Sequence, residues 1–187
     1  MSETDWIASA RQGDVAAWEG LVGGHQDAVF RLAYLLLADA DEAEDVAQEA
    51  FVRAFQALDR FDASRPLRPW LLGITANLAR NRRRSAGRYW AAVQRLFREH
   101  PEPPASVEDT SLQRLESKQL WQAVQRLGPA DQQVIYLRYF LDLPEAEMAA
   151  ALQVAPGTVK SRLHRALNRL RPIVEREFPP GREEHGP

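Results

Sequence analysis

The chain has 187 residues, of which 45% are hydrophobic and 27% charged, with a formal net charge of −2. These values are typical of a globular protein with one large or two small domains, and 10 Gly and 12 Pro are too few for a collagenous or low-complexity chain. The absence of cysteine excludes disulfides, thiolate catalysis and cysteine-bearing zinc sites, and the four histidines lack ligand spacing. We therefore expect no metal and no other cofactor.

The N-terminal residues and the apolar runs give no sign of export. Met1 to Asp5 lack the basic and apolar regions of a secretory signal. The apolar run from Leu32 to Ala38 is far shorter than the roughly 20 residues that span a bilayer. We expect a cytoplasmic protein with no membrane insertion of its own.

Apolar residues recur with a spacing near 3.6 along most of the chain, and strand-like alternation is absent, which predicts an all-α protein. Gly and Pro residues mark the helix boundaries. The Gly23-Gly24 pair falls inside the second expected helix and allows a kink or an early end there. The expected helices span residues 4–11, 14–37, 40–60, 69–98, 111–127, 130–141, 145–152 and 157–177.

A Pro-rich, acidic stretch interrupts this pattern near residues 99–110. Its three prolines and its acidic residues cannot continue a helix or bury much apolar surface. We therefore expect two small helical domains, residues 1–98 and 111–178, joined by a flexible linker, residues 99–110. Residues 179–187 are expected to be a frayed tail.

Charge is segregated along the chain. The net charge is −9 over residues 1–64, +9 over 65–98, −4 over 99–117 and +5 over 156–171. The two basic segments contain no acidic residue, which favours two separate contacts with a polyanion. Two solvated, Arg-rich helix faces would give the same charge pattern, so charge alone leaves both interpretations open.

The expected helix at 40–60 has an acidic outer face. Its predicted buried face consists of Val46, Ala47, Ala50, Phe51, Ala54, Phe55 and Leu58. The residues that remain on the outside are Asp41, Glu42, Asp45, Gln48, Glu49, Val52 and Gln56. Such a face repels DNA, so it is either solvated or contacts a protein partner.

The expected helix at 69–98 has a stripe of the opposite character. Positions i, i+4, i+7 and i+11 share one face, and Ala76 and Arg83 widen it. A glycine lets a polyanion backbone approach closely, an asparagine offers a donor and an acceptor to a base, and arginines suit phosphates. The residues of the stripe are Gly73, Asn77, Arg80 and Arg84.

The most specific pattern is a helix-turn-helix in the C-terminal domain. A short helix at 143–152, a tight turn at 153–156 and a helix from Gly157 onward have the required spacing. The second helix has an apolar side, consisting of Val159, Leu163, Ala166, Leu167 and Leu170. Its opposite side carries Ser161, His164, Arg165 and Asn168, flanked by Lys160 and Arg171 on one edge and by Arg162 and Arg169 on the other. This is the layout of a recognition helix whose centre contacts base edges and whose edges contact phosphates, although a basic surface helix shares it.

Three stretches together carry a family resemblance. They are DVAQEAF with RAF (45–51 and 53–55), RPWLLGITAN (68–77) and GTVKSRLHRA (157–166). With this order and spacing the chain resembles an extracytoplasmic-function (ECF) sigma factor of bacterial RNA polymerase, in the sigma-70 family, over residues 10–175. The sequence departs from the family at Pro144 and Ala155, where serine caps are common, and at Gln153, where the turn usually has glycine.

The resemblance implies a role for each segment. The acidic-faced helix would dock on the clamp coiled coil of the largest polymerase subunit, through Asp45, Gln48, Glu49 and Arg53. Residues 61–69 would capture a flipped minus-ten base, and residues 134–140 would pack partly against the polymerase flap. Together with the stripe, the expected minus-ten contacts are Gly73, Asn77, Arg80, Asn81, Arg83 and Arg84. The expected minus-thirty-five contacts are Lys160, Ser161, Arg162, His164, Arg165 and Arg169.

The resemblance also implies a function: binding core RNA polymerase and directing promoter-specific initiation, including promoter melting. The implied partners are core RNA polymerase, promoter DNA and an anti-sigma factor. The alternatives are a free-standing helix-turn-helix regulator, which leaves the first basic segment poorly explained, and a helical adaptor. An enzyme is least favoured, since the clustered acids at 41–49 lie on a convex helix face with no histidine nearby.

Overall fold

A computed structural model describes residues 2–93 and 119–177, and all of the regular structure in these two segments is helical. This confirms the all-α class and the two helical regions. The predicted linker, residues 99–110, and the predicted tail, residues 179–187, lie outside the described residues. The segments are called here the N-terminal half and the C-terminal half.

The N-terminal half contains four helices and one 3-10 turn. The helices are α1 (Glu3–Arg11), α2 (Val15–Leu37), α3 (Ala40–Ala57) and α4 (Leu67–Val93), and the turn is Leu58–Arg60. Gly23 and Gly24 do not end α2, since the helix continues through both. Side-chain caps explain where the first three helices begin, with Ser2, Asp14 and Asp39 each accepting a hydrogen bond from the first turn.

The C-terminal half begins with helical residues 119–125, which we call α5. It continues with α6 (Pro129–Ile135), a π-helical turn (Tyr136–Phe140), α7 (Glu145–Leu152) and α8 (Pro156–Glu177). Helix α7 has the bounds that the sequence predicts. The predicted helix at 130–141 changes to π geometry at Tyr136, where the amide of Leu141 donates to the carbonyl of Tyr136 at 3.1 Å.

Helix α2 packs against α1, α3 and α4, and it supplies much of the N-terminal core. The buried face of α3 agrees with the prediction at Val46, Ala47, Ala50 and Ala54. The prediction for Phe55 is wrong, because this residue is 51% exposed. Its ring packs against Trp18, whose ring centroid lies 5.1 Å away in an edge-on arrangement.

The two halves pack against each other, and buried residues of both belong to one hydrophobic cluster. Helix α4 lies against α7. The two helices come close together at Gly73, where an added Cβ would come within 2.7 Å of the carbonyl oxygen of Ala151. Only glycine allows this separation, so the contact depends on the residue type at position 73.

Three hydrogen bonds from side chains also join the halves. Two of them end on backbone carbonyls and one on a side chain. Arg68 donates to the carbonyl of Leu141 at 2.7 Å, and Arg83 donates to the side-chain oxygen of Gln132 at 2.9 Å. The amide of Gln125 donates to the carbonyl of Leu35 at 3.3 Å. We call this packed state the closed arrangement.

Candidate nucleic-acid interface

The predicted minus-ten residues all lie on α4, but they have different surroundings. Asn77, Arg80, Asn81 and Arg84 are exposed, and Arg83 is half-buried. The side-chain oxygen of Asn77 accepts a hydrogen bond from Arg80. The sequence predicts a polyanion backbone beside Gly73, whereas in the closed arrangement the carbonyl of Ala151 occupies that space. DNA therefore reaches Gly73 only when the halves separate.

The loop between the 3-10 turn and α4 is shaped by its own side chains. One carboxylate oxygen of Asp62 accepts hydrogen bonds from the amide of Ser64 at 3.1 Å and from its hydroxyl at 2.7 Å. These bonds lower the pKa of Asp62, since they favour the ionised carboxylate. Phe61 is buried and packs on Trp70, with 4.6 Å between ring centroids. The backbone of the loop is thus held in one shape.

The predicted minus-thirty-five residues lie on the outer side of α8. Val159, Leu163, Ala166 and Leu170 are buried, and Leu167 is partly buried, as predicted. Lys160, Ser161, His164, Arg165 and Arg169 are exposed, and Arg162 is half-buried. The side chains of His164 and Asn168 are hydrogen-bonded at 3.0 Å, and Arg165 donates to the carbonyl of Ser161 at 3.2 Å.

The turn before α8 departs from the usual cap chemistry. Pro144 is the N-cap residue of α7 and provides no side-chain hydrogen bond. Gln153 ends α7 with φ of 54°, in the left-handed region. A glycine would adopt this conformation at lower cost.

Arginines from both predicted DNA-binding surfaces face one cleft of about 810 Å³ between α4, α6 and α8. Asp131 also lines the cleft, and its carboxylate is paired with Arg169 at 2.5 Å. The arginines are Arg80, Arg83 and Arg84 from α4 and Arg162, Arg165 and Arg169 from α8.

A second cavity, of about 740 Å³, separates the predicted base-capturing loop from α7. Phe61, Asp62 and Trp70 line it on one side, and Ala146 and Ala150 line it on the other. In the closed arrangement the base-capturing loop and the cleft arginines therefore face the other half of the protein, whereas Lys160, Ser161 and His164 stay exposed on the outer side of α8.

The predicted polymerase-binding residues form an exposed row on α3. Asp45, Gln48 and Glu49 are exposed, and Arg53 is paired with Glu49 at 2.5 Å. Asp45 is also paired with Arg82 of α4, at 2.8 Å. The carboxylates of Asp45 and Glu49 are therefore accessible to a partner, and Arg82 connects this face to α4.

Three polar residues that the sequence did not single out organise these surfaces. Arg82 pairs with Glu42 and Asp45, and it therefore connects α4 to α3. Gln132 is buried, donates to the carbonyls of Gln125 and Leu127, and accepts from Arg83. The third is Asp131, the partner of Arg169. A glutamine or an aspartate near a helix start carries no sequence signal of such long-range pairing.

No group of three or more potential metal ligands occurs within residues 2–93 and 119–177. Over the same residues, no helix is long and apolar enough to cross a membrane.

Comparison with known proteins defines the class. The Sigma-70 region 2 family matches residues 21–89, and the Sigma-70 region 4 family matches residues 117–170. The first match contains α3, most of α4 and the loop between them, and the second contains α7, the turn and most of α8. The chain is thus built from the two conserved regions of sigma-70 proteins.

Relatives narrow the class further. ECF RNA polymerase sigma factor SigW of Bacillus subtilis is 31% identical over 173 residues, which cover 88% of this chain and 92% of SigW. ECF RNA polymerase sigma factor SigL of Mycobacterium tuberculosis is 33% identical over 166 residues, covering 88% and 93% of the two chains. The chain belongs to the ECF sigma factors, which bind core RNA polymerase and direct promoter-specific transcription initiation.

Solved structures show the same fold. CnrH, in complex with the cytosolic domain of CnrY, has a TM-score of 0.70 and 26% identity, with 94% of this chain and 98% of CnrH covered. The sigma factor RpoE of Bartonella quintana, in complex with the anti-sigma factor NepR, also has a TM-score of 0.70 and 26% identity, with 87% and 99% covered.

Proposed function

We propose that this sigma factor recognises its promoters through two separate surfaces, α8 for the minus-thirty-five element and α4 with its preceding loop for the minus-ten element. The observation that carries the proposal is the presence of two basic, acid-free helix faces, one in each sigma region. A free-standing regulator needs one such face, and it is not favoured because both sigma regions match.

At the upstream element, the exposed centre of α8 is suited to base contacts. Arg165 and Lys160 can donate to guanine, and Ser161 and His164 can bond to base edges. Arg162 and Arg169 flank this strip and are suited to phosphates, which fix register without reading sequence. The chemistry supports direct readout by four side chains and positioning by two.

At the downstream element, α4 and its loop are suited to a separated strand. Unstacking a base costs a few kcal/mol, which a pocket for the flipped base and contacts to the single strand can offset. The loop held by Asp62 and Phe61 offers the pocket, and Asn77, Arg80, Asn81, Arg83 and Arg84 offer the strand contacts. Stabilising the open state in this way needs no covalent step, so we propose no catalytic residue.

The closed arrangement supports a requirement for polymerase. The two promoter elements are named for positions −35 and −10, so roughly 25 base pairs separate them. This is about 85 Å at about 3.4 Å per base-pair step. Helices α4 and α8 line one cleft and cannot reach both elements together. We infer that core polymerase, which contacts α3 through Asp45, Gln48, Glu49 and Arg53, separates the halves.

We further infer that an anti-sigma factor controls this protein in the cytoplasm. The support is the state of the two similar solved sigma factors, since CnrH is in complex with the cytosolic domain of CnrY and RpoE is in complex with NepR.

We also propose that the two helical domains span residues 1–98 and 111–178.

Run-off transcription with core polymerase on genomic fragments tests the function. We expect discrete transcripts with this chain, and loss of polymerase binding and of transcripts with the double variant Gln48→Ala, Glu49→Arg, which keeps the Arg82–Asp45 pair. A matched control is Asp27→Arg, which reverses an exposed charge on α2 and is expected to leave both unchanged. Specific duplex binding by the chain alone, with no transcript from any fragment, would contradict the proposal.

A further inference from the structure

We propose that the arginine-lined cleft between α4 and α8 binds a chain of linked phosphates, which holds the two halves in the closed arrangement. Binding itself is independent of the proposed function, but one consequence rests on it: a bound phosphate chain would occupy the arginines that contact promoter DNA. The site would then keep the free sigma factor away from promoters.

The first argument is the charge of the cleft. Six guanidinium groups line it, and Asp131 is the single carboxylate among the described lining residues. Asp131 neutralises Arg169, whereas Arg80, Arg83 and Arg165 have neutral hydrogen-bond partners. The closed arrangement therefore brings together an excess of positive charge, and the repulsion is reduced by a bound anion.

The second argument is size. A cleft of about 810 Å³ is within the range of roughly 300–1,000 Å³ found for small-molecule sites. A DNA duplex, whose major groove alone is about 12 Å wide, does not fit inside a cleft of this volume. The occupant that fits the closed arrangement is therefore a small, highly charged molecule.

The third argument is the chemistry of the lining. Guanidinium groups bind phosphate oxygens through paired, charge-assisted hydrogen bonds. One phosphate or sulfate carries too little charge to neutralise most of the six arginines, whereas linked phosphates place several charges along one short molecule. Leu36, Ala76, Pro129 and Ala130 form the apolar part of the lining, which strengthens ionic contacts by excluding water.

The site exists only when the halves are together. The contact of Gly73 with Ala151 and the hydrogen bonds from Arg68 and Gln125 hold the two halves together without using cleft arginines. A ligand that contacts both helices binds the closed state alone, and it therefore stabilises that state by mass action.

Calorimetric titration of the full chain, at fixed ionic strength and without magnesium, tests the binding. We expect inorganic tripolyphosphate to bind at least tenfold more tightly than sulfate. The variant Arg84→Ala, Arg162→Ala removes one arginine from each side of the cleft and is expected to weaken binding at least tenfold. The control Arg31→Ala, Arg176→Ala removes the same charge from exposed positions outside the cleft and is expected to change binding less than twofold.

A second variant separates a built site from general charge. Gly73→Leu keeps all six arginines but forces α7 away from α4, so we expect tripolyphosphate binding to weaken at least tenfold. Circular dichroism checks that the helices of this variant are retained. Unchanged affinity in Gly73→Leu, or equal loss in the two double arginine variants, would overturn the proposal.

Two further ligands identify the source of the phosphates. ATP binding as tightly as tripolyphosphate would support a nucleotide, and much weaker ATP binding would support an inorganic chain. Tighter binding of a hexaglutamate peptide, or sulfate binding as tight as that of tripolyphosphate, would overturn the phosphate assignment. If tripolyphosphate binds as expected but run-off transcription fails, the proposed function fails and the binding site stands.

Discussion

Three consecutive arginines of α4 show how much the position of one residue decides. Arg82 pairs with Glu42 and Asp45 of α3, Arg83 donates to Gln132 of α6, and Arg84 lines the cleft. Successive residues on a helix are about 100° apart, so the three arginines have different contacts, although Arg83 lines the cleft as Arg84 does. One of the three connects helices of the N-terminal half, one connects the two halves, and one is available to an anion.

At this scale, the two faces of α8 predict different mutational effects. Arg165→Ala should cost about 1–3 kcal/mol of binding at the preferred upstream sequence and relax the preference for one base, since a base contact is lost. Arg162→Ala should weaken binding to all sequences alike, since a phosphate contact is lost. Competition assays of holoenzyme with a library of upstream elements measure both, and identical sequence profiles for the two variants would contradict the assignment of the faces.

The end of α2 predicts a stabilising substitution. Ala38 has φ of 58° in the left-handed region, where a side chain with Cβ costs about 1–2 kcal/mol. Ala38→Gly should therefore raise the free energy of unfolding by about 1 kcal/mol in urea titrations. The control is Ala16→Gly, within the first turn of α2, which should lower it by up to about 1 kcal/mol. A decrease for Ala38→Gly would show that the left-handed conformation is not the dominant cost.

At the scale of elements, α3 and α4 are joined through charge as well as through their apolar faces. Arg82 lies between two carboxylates of α3, and its side chain is 40% exposed. Exposed pairs of this kind contribute between zero and about 1 kcal/mol, because water and salt screen them. The apolar core between the helices therefore carries most of their association.

This predicts a small and salt-dependent effect of Arg82→Met. The variant should lower the free energy of unfolding by less than about 1 kcal/mol at low salt, and the difference should vanish in high salt. Urea titrations at two salt concentrations measure it. A loss of several kcal/mol that persists in high salt would mean that Arg82 is needed for packing rather than for charge pairing.

At the scale of the whole molecule, the proposed function makes the closed arrangement and promoter binding mutually exclusive. Gly73 and Arg83, both expected at the minus-ten element, contact Ala151 and Gln132 instead. The cleft brings α4 and α8 together, whereas the promoter elements require them far apart. The balance between the two states then decides how much of the protein can engage DNA.

Distance measurements between spin labels test this balance. The chain has no cysteine, so labels can be attached at Asp27→Cys on α2 and Glu145→Cys on α7, both exposed. Core polymerase should lengthen this distance by tens of ångströms, because the minus-ten and minus-thirty-five promoter elements lie about 85 Å apart at about 3.4 Å per base-pair step. The pair Asp27→Cys and Glu44→Cys lies within the N-terminal half and should not change. An unchanged distance between the halves would contradict opening by polymerase.

Local patterns were sufficient wherever the environment of a residue follows from its own helix. The bounds of α7, the buried side of α8 and the helical class were predictable, because apolar spacing and helix-breaking residues act within a few turns. The exposure of Phe55 was not predictable, because periodicity assigns this residue to the buried side of α3. How far its ring is covered depends on what other helices place beside it, here Trp18 of α2.

The sequence by itself determined the helices, the two acid-free basic faces and the resemblance that identifies an ECF sigma factor, because each depends on residues close together in the chain. Only the tertiary structure decided that Gly73 lies against Ala151, that Gln132 accepts from Arg83, and that six arginines share one cleft. These features depend on how two halves of the chain pack across a long separation in sequence. No local spacing encodes that packing, because it results from the shapes and charges of surfaces whose residues are far apart in the sequence.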